Sequence, residues 1–118
     1  MIKQEKIFTY KIEDDALVIN LSGEIDHHSA VGVRSDIDTL VFETRPKKLI
    51  LELSDITFMD SSGLGLIMGR YALIKDLGGS LLLRSPSVAV MKILGLSGMD
   101  RIISIEKTKE EGQNDDKK

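Results

Sequence analysis

Near the start of the chain, apolar residues fall at every second place. Phe8, Tyr10 and Ile12 do so first, and Leu17, Ile19 and Leu21 follow after the acidic turn Glu13-Asp14-Asp15. Side chains of an extended strand alternate between two faces, so two such runs around a short turn predict a β-hairpin. From Ser29 to Glu43 the period lengthens, with Ala30, Val33, Ile37, Leu40 and Val41 recurring at three- and four-residue spacing. This predicts an amphipathic helix, capped by Ser29 and ended by Arg45-Pro46. The run Leu49-Ile50-Leu51-Glu52-Leu53 is almost continuously apolar, the pattern of a strand buried on both faces and so of the centre of a sheet.

Ser54 to Asp60 reads as a connection from that strand to a second helix, expected from about Ser61 to Leu77 and stopped by Gly78-Gly79. Leu81-Leu82-Leu83 supplies another strand. Ser85-Pro86 offers a hydroxyl cap and a proline in the first turn of a short third helix whose apolar face is Val88, Met91, Ile93 and Leu94. Ile102, Ile103 and Ile105 form a last strand. The order is ββαβαβαβ. Strands alternating with helices imply right-handed crossovers, so the fold class is α/β, with a mixed, mainly parallel central sheet, an N-terminal antiparallel hairpin and helices packed against the sheet.

A chain of 118 residues corresponds to one domain, assigned to residues 1–106. Residues 107–118 contain no apolar side chain and are read as a charged, disordered tail. With 42% apolar and 30% charged residues the composition is globular. No apolar run approaches the roughly 20 residues of a membrane span, and the polar stretch Met1 to Lys6 lacks the apolar core of a signal peptide. The expectation is a cytoplasmic protein with no membrane partner.

Lacking cysteine, the chain has no disulfides, thiolate zinc sites or cysteine nucleophile. A net charge of −3, with no basic patch and only two tyrosines and three phenylalanines, argues against direct binding of nucleic acid.

The chemistry concentrates in Asp60-Ser61-Ser62-Gly63-Leu64-Gly65, at the junction of a strand with the second helix. A helix N-terminus offers unpaired N–H groups and the positive end of the macrodipole, and suits a capping oxygen or a phosphate equally. One reading is structural: Asp60 or Ser61 caps the helix and the glycines permit close packing. Gly63, Gly65 and Gly69 are spaced G-x-G-x-x-x-G, one residue away from a dinucleotide fingerprint, and no Gly-Lys-Ser/Thr ending makes a P-loop. Neither serine lies in G-x-S-x-G. The other reading makes a serine hydroxyl here an acceptor of phosphate, which would add about −1.5 to −2 charges beside Asp60.

Several blocks carry a family resemblance: Gly23-Glu24-Ile25-Asp26-His27-His28-Ser29-Ala30, Phe58 to Gly65, Gly69-Arg70-Tyr71, Gly78-Gly79, Ser85 to Val88 and Leu96-Ser97-Gly98-Met99. In this order and spacing they resemble the STAS domains of anti-sigma-factor antagonists, most of all the sporulation type of spore-forming bacteria, over about residues 7 to 106. The resemblance implies a regulator of transcription that works by partner switching and is no enzyme. The unphosphorylated form would bind an anti-sigma factor that is also a serine kinase and so release the sigma factor. Phosphorylation of Ser61 would switch it off, and a metal-dependent serine phosphatase would reverse this. No cofactor is expected in the chain itself, ATP and Mg²⁺ belonging to the kinase. Asp26, His28, Asp60, Ser62, Gly63 and Leu64 would form the partner-binding surface. An alternative within the same family is a scaffold subunit of a transporter or signalling assembly, without phosphoswitching.

Other residues receive plainer assignments. Glu24, Asp26 and the histidines have poor geometry for a metal, since neighbours on an extended segment point to opposite sides, and Asp26 is read as a capping or turn residue. Met59, Met68, Met91 and Met99 are read as packing residues. Leu64, Ile67, Tyr71 and Ile74 form one face of the second helix and Leu66, Leu73 and Leu77 another, so the helix is either wedged between sheet and neighbour or leaves an apolar patch exposed. Gly65 and Gly69 would leave a groove in it. Arg70 is read as a solvated or capping charge.

Overall fold

The computed structural model describes residues 8–107. The elements are β1 (Phe8–Glu13), β2 (Ala16–Ile25), α1 (His27–Thr44), β3 (Lys48–Met59), α2 (Ser61–Asp76), β4 (Ser80–Arg84), α3 (Val88–Ser97), a short 3₁₀ turn (Met99–Arg101) and β5 (Ser104–Glu106). The five strands lie side by side in chain order, with β1 antiparallel to β2 and every later pair parallel. The ββαβαβαβ order and the hairpin are those expected from the sequence.

A sheet wound steadily in one direction through right-handed crossovers places all its helices on one face. The burial pattern agrees. Leu17, Ile19 and Leu21 of β2, Leu49, Leu51 and Leu53 of β3, and Leu81 and Leu83 of β4 point to one side. There they form one core with Val33, Ile37 and Val41 of α1, Leu66, Ile67 and Ile74 of α2, and Val90 and Leu94 of α3. The opposite face carries Val18, Ile50 and Leu82 in one row, then Asn20, Glu52 and Arg84 in the next. Arg84 Nε donates to Glu52 Oε1 at 2.8 Å. Burial disfavours the Glu52 carboxylate, but hydrogen bonds from Arg84, Ser54 and Ser85 outweigh it and hold its pKa below the ordinary value.

Four boundaries differ from the sequence expectation. Helix α1 is capped by Asp26, not Ser29, and starts two residues earlier than read. Strand β3 does not end at Leu53 but runs on to Met59, pairing with β2 as far as Ile25. Two register shifts insert extra residues into β3 along this stretch, which breaks the alternation and conceals the strand in the sequence. The third helix is capped by Ser87, while Ser85 has φ +58° and ends β4 in a turn, its N–H donating to Glu106 O at 2.8 Å. Ile102 and Ile103 precede β5 instead of belonging to it. The edge strand β1 keeps its alternation, yet Tyr10 and Ile12 stay half exposed at the sheet margin.

Arg70 also departs from expectation. It is not solvated but only 6% exposed, at the interface of α2 with α1, where its Nε lies 2.9 Å from Asp38 Oδ1. Taking a guanidinium out of water is costly unless a counter-charge accompanies it, and Asp38 supplies one across the helix pair. Helix α2 is thus wedged between sheet and neighbouring helix, with Leu64, Met68, Tyr71, Leu73 and Leu77 packed against the core's margin. Of the methionines read as packing residues, Met59 and Met99 lie in the core and Met68 packs against it, while Met91 is half-buried on α3.

Candidate functional site

Strands β2 and β3 are parallel neighbours, so the helices that follow them begin side by side. In open α/β sheets the carboxyl ends of the strands are where ligands and partners meet the fold. Both helices start in nearly the same way. Asp26 (φ −117°, ψ −173°) caps α1 and Asp60 (φ −115°, ψ −164°) caps α2, each in extended conformation. The two turns touch, the Asp60 N–H donating to Ile25 O at 3.4 Å.

At α1 the capping is closed. The Ser29 N–H donates to Asp26 Oδ1 at 2.9 Å, the Asp26 N–H donates to Ser29 Oγ at 3.0 Å, and Ser29 Oγ donates to Glu24 O at 2.9 Å. The Ser29 amide lowers the Asp26 pKa below its ordinary value, burial opposes this, and the Ser29 hydroxyl and the His28 amide add to the lowering. At α2, Asp60 Oδ1 accepts from the Ser62 N–H at 2.8 Å. The cap uses a backbone amide, so it occupies neither serine hydroxyl.

Ser61 is the first helical residue, is exposed, and has no hydrogen-bond partner for its hydroxyl among the described residues. Ser62 is half-buried and turned toward α1. Gly63 is buried: a Cβ there would collide with the Met59 side chain and lie 3.3 Å from Ile25 Cγ2, so its lack of a side chain lets α2 start hard against the core. Leu64 packs against that core, half-buried. His27 and His28, first and second residues of α1, are both exposed. The structure therefore brings the sequence-derived residues Asp26, His28, Asp60, Ser61, Ser62, Gly63 and Leu64 to one end of the sheet. Among the described residues no three His, Asp or Glu side chains converge as a metal site would require.

A groove of about 280 Å³ leads away from these turns between the two helices, lined by His27, Val31 and Arg34 of α1 and by Ser62, Gly65 and Leu66 of α2. Val31 and Arg34 were not singled out from the sequence, although their spacing from His27 already places them on one helix face. Gly65 opens onto this groove and Gly69 faces open space one turn further on, as the small-residue spacing suggested.

The family model for the STAS domain matches residues 8–112, and the chain belongs to that family. It is 39% identical over 89 residues to an anti-sigma F factor antagonist of Paenibacillus polymyxa, covering 75% of this chain and 76% of that one. Identity to an anti-sigma-B factor antagonist of Bacillus subtilis is 31% over 102 residues, covering 86% of this chain and 92% of the relative. Among solved structures it is similar to the anti-sigma factor antagonist SpoIIAA in its unphosphorylated form (TM-score 0.74, 33% identity, 88% of this chain and 90% of that one). It also matches the Bacillus cell fate determinant SpoIIAA in the phosphorylated form (TM-score 0.67, 32% identity, 88% and 94% covered). No helix among the described residues is long and apolar enough to cross a membrane.

Proposed function

We propose that this protein is an anti-sigma-factor antagonist. Its unphosphorylated form binds an anti-sigma factor that is also a serine kinase, and the sigma factor held by that kinase is released. Phosphorylation of Ser61 ends the contact, and a serine phosphatase restores it. The chain contributes a surface and one hydroxyl. ATP and Mg²⁺ belong to the kinase.

The observation that carries this reading is the exposed hydroxyl of Ser61 on the first turn of α2, which has no partner among the described residues. A phosphate there would sit at the positive end of a helix, which the fold can accommodate. It would also place about −1.5 to −2 charges next to Asp60, and a surface docked over that turn would have to desolvate them. The names of the relatives support the role, and similarity to one relative solved with and without phosphate supports a fold that survives the modification.

Incubating the protein with its anti-sigma kinase and MgATP, then mapping phosphate by mass spectrometry, tests the site. Phosphate is expected on Ser61 and absent from Ser61→Ala, which should keep its affinity for the kinase. Ser61→Asp should bind more weakly while melting like the wild type. Phosphate on a different residue, or undiminished binding by Ser61→Asp, overturns the mechanism.

A further inference from the structure

A kinase that reaches Ser61 covers more than one helical turn, because a stable interface buries about 800 Å² on each partner. The groove between α1 and α2 adjoins that turn through Ser62, which belongs to both. Its walls carry a charge with no counter-charge. Arg34 is exposed and makes no ion pair among the described residues. Its natural intrahelical partner, Asp38 one turn on, is held by Arg70 at 2.9 Å. Burial lowers the Arg70 pKa, Asp38 raises it, and the nearby Arg34 charge lowers it again, so the Arg34 charge lies close to a pair that already satisfies Asp38. Beside Arg34 the groove has an apolar wall in Val31, 55% exposed, and reaches at its floor the edge of the core residue Leu66, itself only 4% exposed. Between them Gly65 leaves open space where any other residue would project.

We infer that this groove is the second half of the partner footprint. It receives from the anti-sigma factor a carboxylate side chain on Arg34 and an apolar side chain over Gly65, between Val31 and Leu66. The inference rests on the proposed function, which supplies the partner. Charge complementarity selects the acidic group, since an arginine fork pairs with a carboxylate through two parallel hydrogen bonds. The absent Gly65 side chain admits the apolar one.

Calorimetric titration of the anti-sigma kinase with the wild type, Arg34→Glu, Gly65→Leu and Lys92→Glu tests this, with thermal melts confirming that each variant is folded. Arg34→Glu and Gly65→Leu are each expected to bind at least tenfold more weakly. Arg34→Glu should also flatten the dependence of affinity on salt, and Lys92→Glu on α3 should bind as the wild type does. If the wild type binds and either groove variant matches it, the groove is not part of the footprint while the proposed function stands. A wild-type chain that fails to bind the kinase overturns the proposed function, and this inference with it.

Discussion

The starts of α1 and α2 share an aspartate cap and nearly the same backbone angles, yet they dispose of their serines in opposite ways. Ser29, third in α1, is enclosed in a capping box and holds three backbone or carboxylate groups of its own loop. Ser61, first in α2, holds none among the described residues. A hydroxyl at the third position can reach back to the capping residue's N–H, whereas one at the first position points out along the helix entry. A two-residue difference in position therefore separates a structural serine from one available to a kinase.

The largest effect is expected where the two helices are tied together further along their length. Asp38→Ala leaves the buried Arg70 guanidinium without its counter-charge and should cost about 3 kcal/mol in urea denaturation. A loss well under 1 kcal/mol would mean that the α1–α2 spacing does not depend on the pair.

The comparison itself is tested by Ser29→Ala against Ser61→Ala. The first should cost about 1 kcal/mol, as the loss of a helix cap does. The second should stay within about 0.5 kcal/mol of the wild type, as surface changes do. Equal losses would erase the distinction between the two serines.

The smallest effect concerns acid. The folded Asp26 pKa lies below its unfolded value, so its contribution is complete above about pH 4 and is lost as pH falls through the folded value. Asp26→Asn can still cap but cannot titrate. Stability measured from pH 5 downward should therefore fall less steeply in that variant, and parallel curves would show that Asp26 is not among the groups responsible.

Much of the fold was legible in sequence because its signals are local. Period-2 runs marked β1 and β2, Gly78 ended α2 near the expected place, and the Asp60 to Gly65 block lay at a strand-to-helix junction as read. Two of the misses have a non-local cause. Arg70 stands four residues from Leu66 and four from Ile74, squarely on the buried stripe, but its burial depends on Asp38, thirty-two positions away on another helix. Residues 54–59 looked like a loop because one register shift in β3 makes Ile56 point inward out of step with Leu53, and the second makes Met59 point inward out of step with Ile56. Asp26 and Ser29 both read as capping residues from the sequence; they belong to one reciprocal motif, and only geometry says which comes first.

Those inserted residues in β3 act as an angular setting for the switch. They leave Phe58 half exposed, turn Met59 into the core beneath Gly63, and so determine where α2 begins. Removing a single residue at Ser54 or Asp55 would exchange inside for outside along the rest of the strand. Alternatively, if the strand kept its facing, the helix would turn by about 100°. Either way Ser61 would leave the face it now shares with Asp26 and His28. The direction in which this hydroxyl points is thus encoded upstream of the helix that carries it, in an irregularity of the strand.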